Sequence, residues 1–256
     1  MTVMPRPQTT PETLSEETID SFRSRGFVHI PGIITPEEAA EYREAALSVS
    51  ERLTALSDSG MFRQLVNVWQ QDDAMRRLTL HPNVGAVAER LIGGPLRLWH
   101  DQILIKPANN SKPTEFHQDQ PYWPHAKSPN PISAWIALCD VPVERGCMTF
   151  IPGSHKRTDL PAQNLADNRS LFQICPEMEW EERVTLPLRA GDCTFHHGRC
   201  AHMATPNLTG DPRVAHVVIF MDAGAEYTGA GHVVTDPLGL TPGGTFEHPM
   251  FPEVVR

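Results

Sequence analysis

Hydrophobic positions in the first third of the chain recur with a helical period. Ile19 and Phe22 lie three residues apart and Gly26 ends the run, which predicts a short amphipathic helix. The next residues, Phe27–Ile30, are apolar and β-prone and predict a strand. Before the helix, residues 1–14 are polar and rich in Pro and Thr, so we expect a loose arm there.

Two further helices are predicted before residue 95. The segment Thr35-Pro36-Glu37-Glu38 supplies an N-cap Thr, a Pro at the first helical position and a Glu that completes a capping box. The helix is expected to run from Pro36 through the 50s. Another is predicted from Asn83 to Ile92, where Gly93-Gly94 ends it. Residues 15–95 should therefore form a helical support.

From residue 96 the pattern changes to short β-prone runs separated by Pro and Gly. The predicted strands are Leu96–Lys106, Glu115–Asp119, Ile132–Asp140, Met148–Ile151, Val184–Leu188, Asp192–His196 and Arg213–Asp222. Because no helices alternate with these strands, the pattern favours a mainly β domain, a double-stranded β-helix (jelly roll) with the N-terminal helices on the outer face of one sheet. We expect one domain, with its core over 96–222, a lid over 155–181 and a C-terminal extension over 223–256.

The composition narrows the class of protein. A length of 256 residues suits one large β domain, and a net charge of −9 argues against a nucleic acid or an anionic membrane as partner. A small-molecule substrate is the expected partner, and the oligomeric state stays open. No signal-peptide pattern and no apolar stretch of about 20 residues is visible, which predicts a cytoplasmic protein. Five cysteines without paired C-x-x-C spacing predict reduced, buried thiols.

The segment His117-Gln118-Asp119 places an imidazole and a carboxylate two residues apart in a predicted strand. Positions i and i+2 of a strand project to one face, so both side chains could bind one metal ion. His202 would complete a set of two histidines and one carboxylate, which leaves positions of Fe(II) open. With 12 histidines in the chain, His-x-Asp alone is weak, so the spacing to the later residues carries the prediction.

The choice of the second histidine ligand is less direct. The competing candidates are His196, His197, His202 and His216. His216 has opposite strand parity to Arg213, which favours a packed position on the other face. The turn at 206–212 would place His202 and Arg213 on neighbouring antiparallel strands, so His202 is the preferred ligand.

Arg213 is a candidate for binding the far carboxylate of a 2-oxo acid, because its guanidinium can form two parallel hydrogen bonds with a carboxylate. The alternative is a solvent-exposed arginine or one paired with Asp211. The apolar residues that follow favour a buried strand, and a buried arginine needs an anionic partner.

Together these residues resemble the phytanoyl-CoA dioxygenase family of Fe(II)- and 2-oxoglutarate-dependent oxygenases. The His-x-Asp motif, the H-x4-H pair from His197 to His202 and the H-x10-R pair from His202 to Arg213 follow that family's order. Further matching segments are Gly94-Pro95, Trp99-His100-Asp101-Gln102, Trp135-Ile136-Ala137-Leu138, Gly146-Cys147 and Ile151-Pro152-Gly153-Ser154-His155-Lys156. The match spans roughly residues 15–222.

The resemblance assigns roles to particular residues. The implied iron ligands, and thus the catalytic centre, are His117, Asp119 and His202. The implied contacts of 2-oxoglutarate are Arg213, Trp135, Gln102 and Thr205. Members often carry Ser or Thr two residues after the distal histidine, but this chain has Ala204, and Thr205 is the nearest hydroxyl. The candidates for the substrate wall are Phe116, Tyr122 and Trp123.

The implied activity is that of a dioxygenase that uses Fe(II), 2-oxoglutarate and O₂. It would hydroxylate or otherwise oxidise an unactivated C–H bond of a small organic substrate and release succinate and CO₂. Three alternatives stay open, and one is a halogenase, against which Asp119 counts because related halogenases carry a small residue at that position. A cupin-like isomerase or hydrolase could use the same ligands with Zn(II) and would not need Arg213. A catalytically silent jelly-roll binding protein would be expected to have lost a ligand. Whether the substrate is a coenzyme A ester is also open.

Overall fold

Helices predominate in the first third of the chain and strands in the remainder. The computed structural model describes residues 8–53, 57–58, 60–110, 112–164 and 167–254. Its α-helices are α1 (Glu16–Arg25), α2 (Pro36–Arg52), α3 (Asp73–Thr79), α4 (Pro82–Ile92) and α5 (Ser170–Ile174). Its strands are β1 (Phe27–Ile30), β2 (Ser57–Asp58), β3 (Arg63–Val66), β4 (Leu96–Lys106), β5 (Thr114–His117), β6 (His125–Ala126), β7 (Ile132–Ala137), β8 (Met148–Phe150), β9 (Val184–Leu186), β10 (Cys193–His197), β11 (His202–Ala204), β12 (Arg213–Asp222) and β13 (Glu226–Tyr227).

Two antiparallel sheets form the framework. The larger sheet has the order β1-β10-β7-β12-β4-β3-β2, and the smaller has the order β5-β11-β8-β9. An apolar cluster between them joins Trp99 and Trp135 of the larger sheet to Met148 and Phe150 of the smaller one. The predicted jelly roll is therefore confirmed, and its interior is the space between the two sheets.

The N-terminal helices pack on the outer face of the larger sheet, as predicted. Ala39 of α2 and Val87 of α4 belong to one buried cluster with Ile103 and Val218 of the sheet. The capping box at Thr35 is present, since its hydroxyl accepts from the Glu38 N–H. This layer stiffens the sheet from outside and leaves its inner face available.

Several short elements were not predicted, among them helix α3 and strand β3. Helix α3 has only seven residues, and its N-cap Asp72 accepts from two backbone N–H groups. Strand β3 carries no alternating pattern and exists because it pairs with β4. Asp101 of β4 accepts a hydrogen bond from Thr79 at the end of α3, and Thr79 is also 2.8 Å from Nε2 of His216. His216 is thus packed on the outer face, as its parity predicted.

The termini and the long excursion are attached to the framework. Residues 1–7 of the predicted loose arm lie outside the described ranges, but Thr9 donates a backbone hydrogen bond to Gly32 and Leu14 is buried. In the excursion, Phe172 of α5 packs against the outer side of β5. In the C-terminal extension, β13 pairs with β6, and Phe251 stacks on Trp99.

Two global expectations can be compared with the structure. All five cysteines are buried and free, as predicted. Among the described residues, no helix is both long and apolar enough to cross a membrane.

Candidate active site

Strand pairing brings the two predicted histidine ligands together. His117 of β5 is the register partner of His202 of β11. The Nδ1–H group of His117 donates to the Glu115 carbonyl at 2.7 Å, and that of His202 donates to the Cys200 carbonyl at 2.9 Å. Because both Nδ1 atoms are occupied, the Nε2 lone pairs are the ones available to a metal ion.

Asp119 lies beyond the end of β5 rather than in the strand. Its backbone is helical (φ −77°, ψ −44°) and precedes a 3₁₀ turn over Gln120–Tyr122, which Pro121 favours. The prediction that two alternate strand positions face the metal was therefore wrong for Asp119. The turn instead carries its Oδ1 to 3.4 Å from His117 Nε2 and 3.9 Å from His202 Nε2.

The three side chains fit a divalent cation. One ligand atom from each lies within 4.8 Å of the others. Burial disfavours the Asp119 carboxylate, but His202, His117 and His196 outweigh it and hold its pKa well below the usual value. Burial, reinforced by His117, lowers the pKa of His202 to about 3, so its ring is neutral and can donate a lone pair. Asp119 outweighs burial and raises the pKa of His117, so a metal ion would bind its Nε2 in competition with a proton. An anionic oxygen and neutral imidazole nitrogens are the donors that non-haem Fe(II) takes.

A fourth imidazole lies beside this group. His196 of β10 is buried, and its Nε2 lies 3.5 Å from Oδ2 of Asp119, the oxygen that faces away from the two histidine ligands. From the sequence, His196 is only one of the candidates for the second histidine ligand. Spacing along the chain cannot show that it contacts an oxygen of Asp119 instead.

Arg213 is a buried cation without an acidic partner in the described ranges. It is 2% exposed, its Nη1 donates to the Leu104 carbonyl at 3.2 Å, and its Nε has no partner. Its guanidinium lies 5.1 Å from the centre of the Trp135 ring. Burial lowers the pKa of Arg213 to about 10, which still leaves it charged at neutral pH. The alternative pairing with Asp211 does not occur, so the cation requires an anion from outside the chain.

The sequence suggested that His202 and Arg213 lie on neighbouring strands. The structure shows that they do not. His202 is in the smaller sheet and Arg213 is in the larger one. The turn between them crosses from one sheet to the other and is held by Asn207, whose amide donates to Pro107 and Asp211 carbonyls. The two residues therefore face the same interior space from opposite sides.

That space is a cavity of about 280 Å³. Residues of both sheets, the 3₁₀ turn and the C-terminal extension line it. The lining residues include the predicted His117, Asp119, His202, Arg213, Trp135, Gln102, Tyr122 and Trp123. One cavity thus contains the three potential metal ligands and the unpaired cation.

Two predicted site residues are not among the lining residues. Phe116 lies on the other face of β5, where its ring packs edge-on against Phe172. Thr205 directs its hydroxyl to the Val143 carbonyl, 2.8 Å away. In both cases the backbone conformation determines the direction of the side chain. Phe116 projects from the other strand face, and Thr205 lies in a loop that directs its hydroxyl away from the cavity.

A bulge between β5 and β11 places an unpredicted hydroxyl in the cavity. His202 pairs with His117 and Ala204 pairs with Thr114, so three steps along β5 oppose two along β11. Thr114 and His117 therefore both line the cavity, although strict alternation would separate them. Thr114 lies across from Ala204, the position where the hydroxyl is missing. No sequence signal marks such a bulge.

Other lining residues also escaped the sequence analysis. They are Phe62, Gln64, Val66, His100, Leu104, Met148, Val217, Ile219, His232 and Val233. Those of the larger sheet could have been found from strand parity. His232 and Val233 come from the C-terminal extension, which has no periodic pattern.

Comparison with known proteins agrees with this geometry. The phytanoyl-CoA dioxygenase family model matches residues 22–215. Peroxisomal phytanoyl-CoA dioxygenase of Homo sapiens is 28% identical over 169 residues, 63% of this chain and 50% of that protein. The chain thus spans about half the length of this relative. Ectoine dioxygenase of Streptomyces coelicolor is 24% identical over 235 residues, 82% of this chain and 78% of that protein.

Two solved structures cover almost the whole chain. The non-haem α-ketoglutarate-dependent carbocyclase SnoK from nogalamycin biosynthesis is 38% identical with a TM-score of 0.88, covering 98% of this chain and 100% of its own. The epimerase SnoN in complex with Fe³⁺, α-ketoglutarate and nogalamycin RO is 36% identical with a TM-score of 0.80, covering 94% and 98%. With its jelly roll, its triad and the family match, the chain belongs to the phytanoyl-CoA dioxygenase family of iron- and 2-oxoglutarate-dependent enzymes.

Proposed function

We propose that this protein oxidises a C–H bond of a small organic molecule, with His117, Asp119 and His202 as the Fe(II) ligands and Arg213 as the anchor of 2-oxoglutarate. The observation that carries the proposal is the unpaired, buried guanidinium of Arg213 in the same cavity as the triad. A zinc hydrolase that used the same three residues would not need Arg213. A catalytically silent binding protein would not need all three potential metal ligands.

The ligand side chains are fixed before any metal binds. Carbonyl acceptors set the tautomer and ring orientation of both histidines. His196 near Oδ2 of Asp119 leaves Oδ1 as the oxygen that faces the histidine nitrogens. When bound, the iron supplies the coupling of O₂ reduction to decarboxylation of 2-oxoglutarate, which yields succinate and CO₂.

The co-substrate subsite is assigned to the opposite sheet. Arg213 would bind the far carboxylate, and Trp135 would hold the guanidinium plane in place. Thr114 would supply the hydroxyl that Ala204 lacks, because it lies across the strand pair and lines the cavity. Gln102 is the next polar side chain on that wall.

The iron and co-substrate assignment can be tested without a substrate. Anaerobic addition of Fe(II) and 2-oxoglutarate should produce a visible metal-to-ligand charge-transfer band. The band should disappear in Asp119→Ala and persist in His197→Phe, a neighbouring histidine that is bonded to the Pro129 carbonyl instead. Absence of the band in the unmodified protein would refute the proposal.

Ring closure is a second candidate outcome beside hydroxylation, because SnoK is described as a carbocyclase. Hydroxylation consumes R–H, 2-oxoglutarate and O₂ and gives R–OH, succinate and CO₂. Ring closure removes two hydrogens from the substrate and gives succinate, CO₂ and water. Turnover of ring-bearing natural products under ¹⁸O₂, followed by mass spectrometry, separates them: an alcohol gains one ¹⁸O, and a ring-closed product loses two hydrogens and gains none.

A further inference from the structure

Besides His196, two imidazoles that are not proposed metal ligands line the cavity. His100 comes from β4, and His232 comes from the C-terminal extension. Their ring centres are 6.1 Å apart, and no hydrogen bond joins them in the described structure. Both rings lie against the buried Trp99, at 5.5 Å and 5.1 Å, so neither is free to turn away.

The tautomer of His100 is fixed by its neighbour. Its Nδ1 lies 3.2 Å from the Asp101 carbonyl oxygen, which can only accept, so the proton is on Nδ1. Burial lowers the pKa of His100 to about 3, and the ring is therefore neutral. Its Nε2 is then a hydrogen-bond acceptor.

His232 has the opposite tautomer. The backbone N–H of Val234 donates to its Nδ1 at 3.2 Å, so the proton of the neutral ring is on Nε2. Burial lowers the pKa of His232 as well. The backbone position is held by Asp236, which accepts from the His232 N–H at 2.8 Å. His232 thus carries an Nε2–H donor, while His100 carries an Nε2 acceptor.

A hydroxyl is the group that matches this pair. Hydrogen bonds of about 2.8 Å on each side would let one oxygen bridge two rings at this separation. A hydroxyl donates and accepts at once, whereas a carboxylate, ketone or ether oxygen only accepts and an ammonium only donates.

The charge of the wall excludes a large anion. Arg213 is the only Lys or Arg among the described lining residues. In the proposed function it binds the carboxylate of 2-oxoglutarate and is not available to the substrate. Around the imidazoles the wall includes apolar side chains: Ile219 is the register partner of His100, and Val233 follows His232 in the chain. Nothing there would neutralise the phosphates of a coenzyme A ester.

We propose that His100 and His232 are a hydroxyl-recognition pair, and that the substrate is an uncharged alcohol or phenol. This names the substrate class of the proposed oxidation and rests on it for the chemistry, but the recognition does not depend on the metal. Fixing one hydroxyl at this wall determines which C–H bond faces the triad.

Binding of three naphthalene probes tests the pair. With 2-oxoglutarate and Fe(II) present under anaerobic conditions, tryptophan fluorescence should report 2-naphthol binding about tenfold more tightly than 2-methoxynaphthalene, which cannot donate, the size expected for one good hydrogen bond. 2-Naphthoate should bind no better than the ether. His100→Phe should abolish the preference for the alcohol, whereas His232→Phe should weaken binding of the alcohol and the ether alike, because both accept from its Nε2–H.

A matched control exists in the same extension. His248 also accepts at Nδ1 from the N–H two residues later, at 3.1 Å, but it is not among the lining residues. His248→Phe should keep the preference. Equal binding of alcohol and ether, no binding of 2-naphthol, or tighter binding of 2-naphthoate would overturn the pair. The charge-transfer band, recorded on the same samples, reports the proposed function separately.

Discussion

At the scale of single residues, the most consequential side chain is a buried arginine without a carboxylate. Arg213 has bonding capacity at Nε that no described residue uses. Keeping such a cation in a β-sheet interior is unfavourable unless an anion joins it. We therefore expect the fold to favour binding of a co-substrate that carries a carboxylate.

Removing this charge should weaken 2-oxoglutarate binding. In Arg213→Gln we expect the dissociation constant to rise by about 30-fold or more, since losing one partner of a buried charged pair costs about 2–5 kcal/mol. Anaerobic titration of the charge-transfer band measures it. Arg145→Gln is the control, because Arg145 bonds the Asp140 and Pro212 carbonyls and does not line the cavity. An unchanged affinity in Arg213→Gln would contradict the assignment.

His196 should support the metal through Asp119. Loss of a partner behind a ligand commonly costs about 10- to 100-fold in metal affinity. We therefore expect His196→Phe to lower Fe(II) affinity by this factor, measured by competition with a chelator. His197→Phe should leave it unchanged, since the next residue in the strand faces away and bonds the Pro129 carbonyl. Equal effects of the two variants would argue for a general loss of packing.

The sequence could predict which residues meet but not how. The spacing along the chain was enough to select His117, His202 and Arg213 as residues of one site. The role of Thr114 depends on a bulge, which is set by the hydrogen-bond register between distant segments. Phe116 faces away from the cavity because it alternates with His117 along β5.

At the scale of elements, strong local sequence signals mark the helices and strands that were predicted. The elements that were missed depend on pairing or packing with distant segments. Helices with strong caps, such as α2, and long apolar strands, such as β12, lie where the sequence placed them. Strand β3 and helix α3 have weak local signals, and pairing with β4 or packing against α2 determines them.

The turn before β8 contacts the proposed co-substrate anchor, Arg213. Gly146 has φ +72°, and a Cβ there would lie 3.1 Å from Lys106 Cδ and 3.2 Å from Arg213 Nε. We expect Gly146→Ala to lower the free energy of unfolding by about 1–2 kcal/mol through the left-handed backbone, and also to raise the dissociation constant of 2-oxoglutarate.

A second glycine separates these two effects. Gly243 has φ +80°, but its Cβ would meet nothing within 4 Å. In urea titrations Gly243→Ala should show the backbone penalty alone, with co-substrate binding intact. If Gly146→Ala also left binding intact, the turn would have no part in positioning Arg213.

At the scale of the whole molecule, one cavity collects contributions from both sheets and from the C-terminal extension. Fe(II) and 2-oxoglutarate bind only the folded chain, so they should stabilise it. At about a hundredfold excess over the dissociation constant, the gain is about 2.7 kcal/mol, or several degrees in Tm for a domain of this size. Anaerobic calorimetry measures this shift. Asp119→Ala should show a much smaller one, and an equal shift would place the ligands elsewhere.

The separation of the triad from Arg213 has a consequence for motion. The three proposed metal ligands lie on or beside the smaller sheet, whereas the arginine belongs to the larger one. A co-substrate that holds both ends becomes a non-covalent crosslink between the layers. Binding of the co-substrate should therefore slow amide hydrogen exchange in β11 and β12 together. Without co-substrate we expect the two sheets to open separately, and with it to open as one unit.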